Sequence, residues 1–214
     1  MSEPTTGLRA MKKRRTRENI SNQATRLFLE RGFDNVTIAD VAAAAQVAKM
    51  TVTNYFPRKE DLALDLQDVF IEMPVATIRG REPGESALAA LRRAYLTAVA
   101  GHDPVIGFSG PPFARMITGS PVLVARLRDF HDEREKAMAR VLAEETGAEP
   151  GAVLPRVAAA QLGGVHRLLF EETLRLTLEE RTNDDIAATV AEDARIAFGA
   201  LEPSLADYAV RPPA

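Results

Sequence analysis

The sequence predicts an all-α fold, with a small N-terminal unit of three helices and a larger helical domain after it. Apolar residues recur three and four positions apart along most of the chain, which is the period of an amphipathic helix. Beyond residue 84 the segments are long and rich in Ala, without the polar–apolar alternation of a strand. Clusters of Gly and Pro separate these segments. We predict nine helices, at about residues 16–31, 38–45, 48–56, 59–73, 85–100, 112–118, 121–146, 154–180 and 184–201.

The first predicted helix carries one apolar stripe and ends at a glycine. Ile20, Ala24, Leu27 and Phe28 lie on one side of it, and Gly32 supplies the stop. We expect this stripe to cover the two short helices that follow and so to complete a three-helix unit. The residues before it, 1–10, are expected to form a disordered tail.

The next two predicted helices are short and meet at a tight corner. Thr37 precedes the first of them at the N-cap position, and Ile38, Val41, Ala42 and Ala45 form its buried face. The second helix buries Val52 and Phe56 and turns its remaining, mostly polar side chains outward before Pro57-Arg58-Lys59 ends it. Two short helices at a steep angle, the second with an exposed face, form the helix-turn-helix that places a helix in the major groove of DNA.

The outward side chains of this second helix are the candidate DNA contacts. Lys49, Met50 and Thr51 lie on its first turn, where side chains reach base edges, and Asn54 and Tyr55 lie one turn later, within reach of phosphates. Tyr55 has an alternative role as a half-buried packing residue. Thr37 is expected either to cap its helix alone or to hold a phosphate as well.

The charge of the chain is unevenly distributed. The net charge is −3, but residues 1–66 hold 11 Lys/Arg against 8 Asp/Glu, and the remainder is acidic. The segment 9–17 carries six basic residues and no acidic one. Beside a helix-turn-helix, such a segment is expected to contact the DNA backbone rather than to be only a solvated tail. Its candidate DNA-binding residues are Lys12, Lys13, Arg14, Arg15 and Arg17.

Several classes of function are disfavoured. Without Cys the chain has no disulfide framework and no thiol nucleophile, and its three His lie far apart in the sequence. The segment 107–111 is not a nucleophile elbow, because Pro111 replaces the final glycine and no strand precedes it. We therefore expect neither catalysis nor a metal or cofactor. The absence of a long apolar run and of a signal-peptide core predicts a cytosolic protein without a membrane partner.

Residues 14–62 resemble the DNA-binding part of the TetR family of transcriptional regulators. The resemblance lies in a helix ending Leu-Phe-Leu-Glu-Arg-Gly-Phe, then Thr37-Ile38, Val41-Ala42, Val47 and Thr51, Asn54-Tyr55-Phe56, and Lys59-Glu60-Asp61-Leu62. It implies a nine-helix homodimer that binds a near-palindromic operator, most often as a repressor, and releases it on binding a small molecule. The implied domains are residues 11–58 for DNA binding and 59–205 for ligand binding and dimerisation, with a C-terminal tail at 206–214. Lys59 resembles the lysine that anchors the DNA backbone in this family.

Two residues depart from the family pattern. Gln46 stands at the corner, where the family usually has Gly, and Ala48 stands where it usually has Ser. A left-handed conformation at Gln46 costs on the order of 1 kcal/mol relative to Gly. Ala48 lacks the side-chain oxygen of an N-cap, which is worth about 1 kcal/mol.

The resemblance also directs attention to the later helices. Small and apolar residues of the last two helices are the predicted dimer interface, unless they pack inside one subunit: Ala160, Gly163, Gly164, Ile186, Val190, Ala194, Ala197 and Leu201. The predicted ligand site, which has ordinary core packing as its alternative, comprises Phe108, Phe113, Met116, Phe130, His166, Arg167 and Phe170. The helix at 59–73 is the expected lever between ligand and DNA. The alternatives to a repressor are an activator of the same fold and a helical adaptor that does not bind DNA.

Overall fold

The computed structural model describes residues 4–149 and 151–213, and that part of the chain contains helices and no strands. The predicted all-α class is confirmed. The described residues form eleven α-helices and, between α6 and α7, a short 3₁₀ helix (Pro104–Ile106). The α-helices are α1 (Pro4–Arg31), α2 (Ile38–Ala44), α3 (Lys49–Tyr55), α4 (Lys59–Ala63), α5 (Gln67–Arg79), α6 (Ala87–Ala100), α7 (Pro111–Gly119), α8 (Pro121–Thr146), α9 (Val153–Leu178), α10 (Asn183–Gly199) and α11 (Glu202–Leu205).

Helix α1 begins earlier than the sequence predicts. Residues 4–10, expected to be disordered, are helical, whereas residues 1–3 of the expected tail lie outside the described residues. Pro4 stands in the first turn, where the missing N–H of a proline costs no hydrogen bond. The run 8–15 consists of Leu, Arg, Ala, Met and Lys, all strong helix formers, so local propensity extends the helix toward the N-terminus.

The single helix predicted at 59–73 is two helices. Residues 64–66 interrupt it, with Leu64 at φ −112° and ψ 50°, outside the helical region. The interruption has a local cause, because the Asp65 carbonyl accepts hydrogen bonds from both terminal nitrogens of Arg17 and its carboxylate accepts one from Ser21. Pro74 does not end the second helix but lies inside α5.

The chain divides into two units. The first comprises the chain up to Asp65 together with Arg115–Arg126, and the second comprises Leu66–Ala114 and Leu127–Ala214. In the first unit the stripe predicted on α1 is buried, as are Val52 and Phe56 of α3. The Arg126 Nε donates to the Asp61 Oδ1 at 2.8 Å, which ties the later segment of this unit to α4.

The core of the second unit comes from α5, α6, α8, α9 and α10. Its buried side chains include Ile78, Leu91, Val141, Leu162 and Phe198. They follow helical periods of three and four residues, so each helix presents one apolar side to the others. Within residues 4–149 and 151–213, no helix combines the length and the apolar character that crossing a bilayer requires.

The C-terminal segment, predicted as a tail from residue 206, is bound to the second unit. The buried Arg81 donates from Nε to the Ala209 carbonyl at 2.9 Å and from Nη1 to the Ile78 carbonyl and the Glu145 carboxylate, each at 2.6 Å. In return, the Arg211 Nη1 donates to the Arg81 carbonyl at 2.6 Å. These bonds satisfy buried backbone carbonyls far apart in sequence, which a period-based analysis does not detect.

Candidate nucleic-acid interface

Helix α2 begins with a reciprocal capping box, so the capping role predicted for Thr37 is confirmed. The Thr37 hydroxyl oxygen accepts from the Asp40 N–H at 3.2 Å, and the Thr37 N–H donates to the Asp40 carboxylate at 2.8 Å. The hydroxyl also donates to that carboxylate at 2.5 Å. These hydrogen bonds from Thr37 lower the pKa of Asp40 below its usual value. The hydroxyl proton is therefore committed to Asp40 rather than directed outward.

The corner between α2 and α3 depends on a left-handed residue that is not glycine. Gln46 has φ 56°. The Val47 N–H donates to the Ala42 carbonyl at 3.0 Å, and the Gln46 N–H donates to the Ala43 carbonyl at 3.2 Å. This pair of bonds is a Schellman motif, which normally places Gly at the left-handed position. Gln46 is exposed, so its side chain gains little packing in exchange for the strained backbone.

Helix α3 starts without a side-chain cap, as Ala48 predicts. Its orientation is fixed instead by burial, because Val52 and Phe56 are 0% and 1% exposed. Met50 and Asn54 are exposed on the opposite side, Met50 to 70%, and Lys49 is exposed at the first position of the helix. A helix that buries one side and leaves a short row of donors and apolar groups on the other suits insertion into a groove.

Three more α3 residues flank this outward row. Thr51 and Tyr55 are half-buried, so Tyr55 combines the outward and packing roles considered for it. Thr53, absent from the predicted contacts, is equally half-buried, and its hydroxyl donates to the Met50 carbonyl at 3.1 Å. Helical spacing alone would have placed Thr53 beside Lys49 and Met50, because it lies one turn after them.

Lys59 is held in place by the first unit. Its ammonium lies 4.2 Å from the centroid of the Phe33 ring and 3.5 Å from the Asp34 carbonyl oxygen. An ammonium has three N–H donors. The Phe33 ring and the Asp34 carbonyl therefore orient the group without using all of its donors.

The basic residues of α1 do not share one side of the helix. Lys12, Lys13, Arg14 and Arg15 are all exposed, but four consecutive residues cover the whole circumference at 3.6 residues per turn. A single DNA surface is therefore accessible to only some of them. Arg17, predicted with them, is directed inward: its guanidinium stacks 4.6 Å from the Phe56 ring centroid and donates to the Asp65 carbonyl. These contacts engage Arg17 within the protein, and its predicted DNA contact stays a prediction.

Asn19 is a positioning residue that the sequence analysis did not identify. Its side-chain amide donates to the Ala45 carbonyl at 3.0 Å and so satisfies a carbonyl at the C-terminal end of α2. Asn19 is a polar residue beside the apolar stripe of α1, and no hydrophobic pattern marks such a residue. Its bond fixes the end of α2 immediately before the corner.

Comparison with known proteins identifies the family. Residues 20–66 match the model described as bacterial regulatory proteins, tetR family. The HTH-type transcriptional regulator TcmR of Streptomyces glaucescens is 30% identical to the chain over 173 residues, which cover 78% of this chain and 76% of TcmR. The chain belongs to the TetR family. It is a DNA-binding transcriptional regulator.

Solved structures share the fold of this TetR-family chain. A complex of SmeT with triclosan is 17% identical, covers 92% of this chain and 95% of its own, and has a TM-score of 0.55. NalD of Pseudomonas aeruginosa, the secondary repressor of the MexAB-OprM multidrug efflux pump, is 19% identical, with coverages of 92% and 98% and a TM-score of 0.51. At these identities the likeness concerns the fold alone.

The predicted ligand-site residues differ in burial and surroundings. Four of them are buried in the second unit: Phe108, Phe130, His166 and Phe170. Phe108 also stacks on His102 with ring centroids 5.3 Å apart. Phe113 is half-buried. Met116 is half-buried and belongs to the first unit. Arg167 is exposed, and its place in the ligand site stays a prediction.

The buried arginine is Arg134 of α8, which the sequence analysis did not single out. It is 3% exposed, and its Nη2 lies 2.9 Å from the His131 Nδ1, while its guanidinium carbon lies 4.3 Å from the Phe70 ring centroid. Burial, reinforced by the charges of Arg134 and Arg167, lowers the pKa of His131 to about 3. Burial likewise lowers the pKa of His166 well below its usual value. Both imidazoles are therefore neutral at physiological pH.

Three of the predicted dimer residues on α10 are buried within the chain. Ile186, Val190 and Ala194 are at most 1% exposed and belong to the core of their own protomer, so they present no area to a partner. Ala197 and Leu201 are half-buried. The alternative of packing inside one subunit therefore holds for the first three. The exposed apolar residue of this helix is Ile196, which is 64% exposed.

The predicted dimer residues on α9 divide between two sides of the helix. A Cβ added at Gly163 would lie 3.5 Å from atoms of Glu135 and Met138, so this glycine faces α8. A Cβ added at Gly164 would have no atom within 4 Å, and Ala160, one turn earlier, is exposed. Gly164 and Ala160 therefore lie on an open side of α9. The exposed Val157 and Leu168 extend this side by about one turn in each direction.

Proposed function

We propose that this regulator reads its operator with the outward side of α3. The exposure of Met50 and Asn54 opposite the buried Val52, with Lys49 exposed at the start of the helix, is the observation that carries the proposal. Lys49 is placed on the first turn to donate to guanine or to a phosphate, and Met50 offers an apolar tip for a thymine methyl group. Asn54, one turn after Met50, supplies an amide that both donates and accepts.

Two other helices, α1 and α4, are proposed to add contacts with the DNA phosphates. Lys59 offers an oriented ammonium, and the exposed basic residues 12–15 of α1 supply charge without a fixed partner on the DNA. Thr51 and Tyr55 lie at the flanks of the outward row and contact the walls of the groove. Arg17 is omitted from this surface because Phe56 and Asp65 engage it.

The proposed regulator acts as a homodimer, joined through the open sides of α9 and α10. The dimer surface is defined here as Val157, Ala160, Gly164, Leu168 and Ile196, which are exposed or open and mostly apolar. Ala160 and Gly164 lack bulk, which permits close approach of a second helix. Two copies would place their recognition helices in successive major grooves, about 34–36 Å apart, on a near-palindromic operator.

Release from the operator is proposed to follow the binding of a small molecule in the second unit. SmeT is described in complex with triclosan, and NalD is described as a repressor. By family likeness, this chain is proposed to act as a repressor under control of an effector. The effector must bind the two conformers with affinities that differ by several kcal/mol, about 5.5 for an almost complete shift.

Footprinting on the DNA flanking the gene tests the proposal. The wild-type protein is expected to protect a short near-palindrome, and Lys49→Ala is expected to lose that protection. Lys136→Ala is the matched control, since it removes the same charge from an exposed position of α8. Failure of the wild type to protect any fragment at low salt contradicts the proposal, as does equal loss of protection in both variants.

The oligomeric state is tested by analytical ultracentrifugation. Leu168→Glu places a charge on the dimer surface and is expected to yield monomers with reduced operator affinity. Val122→Glu introduces the same charge at another exposed apolar position, in the first unit, and should leave the dimer intact. A Leu168→Glu variant that sediments as the wild type does would place the interface elsewhere.

A further inference from the structure

The second unit contains two buried arginines with opposite surroundings. Arg81 is 1% exposed, and its guanidinium meets the Glu145 carboxylate and two backbone carbonyls. Arg134 is 3% exposed, yet no carboxylate of the described residues lies within ion-pair distance of it. Its neighbours at the guanidinium are a neutral imidazole and the ring of Phe70. Burial of a cation is normally balanced by an anion, because its desolvation costs several kcal/mol.

Polar groups near Arg134 also lack hydrogen-bond partners. Among the described residues, the Arg134 Nε, the Tyr95 hydroxyl and the His166 Nε2 are buried without a hydrogen-bond partner. The Thr173 hydroxyl, which lies beside Tyr95, donates instead to the Leu169 carbonyl at 2.8 Å. Buried polar groups in native proteins are nearly always paired. The unpartnered Nε of this guanidinium, together with the two unpartnered groups near it, therefore indicates a function rather than a packing role.

The hydrogen bond to His131 shows how an anion would enter the cluster. A guanidinium has only donors, so the His131 Nδ1 accepts from Arg134 and its proton is on Nε2. A carboxylate is a far stronger acceptor for a guanidinium than a neutral imidazole nitrogen, and it can take two parallel N–H donors. An entering carboxylate would therefore replace His131 at Nη2 and also satisfy the orphan Nε.

Aromatic rings line this cluster. The Phe70, His131 and Phe170 rings meet edge to face at centroid distances of 5.1–5.9 Å. The His166 ring meets the Tyr95 ring at a centroid distance of 5.4 Å and the Phe198 ring at 5.7 Å. Rings that meet in this way offer both edges and faces to a further aromatic ring.

We propose that the effector of this regulator is an aromatic carboxylic acid whose carboxylate pairs with Arg134 and whose ring packs among the aromatic side chains around it. The inference rests on the proposed effector-controlled function and specifies the class of the effector. Tyr95 donates to a carboxylate oxygen, and His166 meets the polar edge of the ligand. Arg134 is then a specificity-determining residue, which separates acids from neutral molecules of the same shape.

Binding of benzoate, 2-naphthoate and anthracene-2-carboxylate, each compared with its neutral amide, tests the proposal by calorimetry and thermal shift. At least one acid is expected to bind the wild-type protein, and its amide is expected to bind far more weakly. Arg134→Met should weaken binding of that acid by roughly 30-fold or more, the range for removing one partner of a buried charge pair. Arg134→Lys should retain part of the preference for the acid over the amide, because lysine keeps the positive charge but not the two parallel N–H donors of the guanidinium.

Controls separate this inference from the proposed function. Arg140→Met removes an exposed arginine from the same helix and should leave acid binding unchanged. Without added acid, Arg134→Met should melt at or above the wild-type temperature, since it removes an unpaired buried cation. The inference is overturned if no acid binds at millimolar concentration, if an amide binds as well as its acid, or if Arg134→Met only lowers stability. Operator footprinting of the same preparations reports on the proposed function separately: a protein that binds DNA but no acid refutes the effector class alone.

Discussion

Replacing Gln46 by Gly tests the corner between α2 and α3. Gln46 has φ 56° and an exposed side chain, so the substitution removes strain and little else. A non-glycine residue in the left-handed region costs roughly 1–2 kcal/mol, and the extra freedom of Gly in the unfolded chain offsets about 0.4–1 kcal/mol of the gain. The net stabilisation is thus on the order of 0.5–1 kcal/mol, or a rise in Tm of about 1–4 °C for a chain of this length.

Thermal unfolding followed by circular dichroism measures this change, with Gln46→Ala as the matched control. Ala removes the same side-chain atoms beyond Cβ but keeps the strain, so its Tm should fall below that of the Gly variant and near that of the wild type. A Gly variant no more stable than the Ala variant would refute the argument, because the cost would then not lie in the backbone conformation. Operator affinity should be equal in all three proteins, since Gln46 is not one of the proposed DNA contacts.

The other predictions concern capping, DNA contacts and the C-terminal segment. Thr37→Ala should lower the free energy of unfolding by about 1 kcal/mol at neutral pH, measured by urea denaturation. Because the pKa of Asp40 is lowered in the folded state, its contribution is complete above the unfolded pKa and disappears as pH falls through the folded pKa, so the deficit should shrink in acid. Thr51→Ala should narrow the affinity gap between operator and competitor DNA in competition titrations, whereas Lys59→Ala should weaken both alike and reduce the salt slope by about 1. If non-specific DNA binding is unchanged in the Lys59 variant, Lys59 does not contact the DNA phosphate backbone. Arg81→Met should cost roughly 1–3 kcal/mol in urea denaturation, and a smaller loss would show that the C-terminal segment is held by other contacts.

The helices of the first unit were predictable because their burial follows the period of the helix. Ile20, Leu27 and Phe28 on α1 and Val52 on α3 are buried where the spacing places them. The break between α4 and α5 was not predictable in this way, since Leu62, Leu66, Val69 and Phe70 continue one helical spacing through it. Leu66 and Val69 are in fact 40% and 49% exposed. A period shows which residues share a side of a helix, but not whether that side is covered.

The same limit explains the errors on α9 and α10. Apolar residues occur around much of α9, where Leu162 and Leu169 are buried while Val157 and Leu168 are exposed. Periodicity cannot distinguish the side that faces the core of one protomer from a side open to a second copy. The burial of Arg134 could not be predicted from periodicity either. It lies between Phe130 and Ala137 on the buried stripe of α8, where an apolar residue is normal.

The recognition helix is oriented by tertiary contacts rather than by local signals. Gln46 strains the corner, and Ala48 gives α3 no side-chain cap, so both residues that usually define this turn are locally unfavourable. The burial of Val52 and Phe56 and the bond from Asn19 to the Ala45 carbonyl act against these costs. Side chains that never touch DNA therefore set the direction of those that are proposed to do so. Helix α1 therefore helps to set the direction of α3, the helix proposed to read the operator.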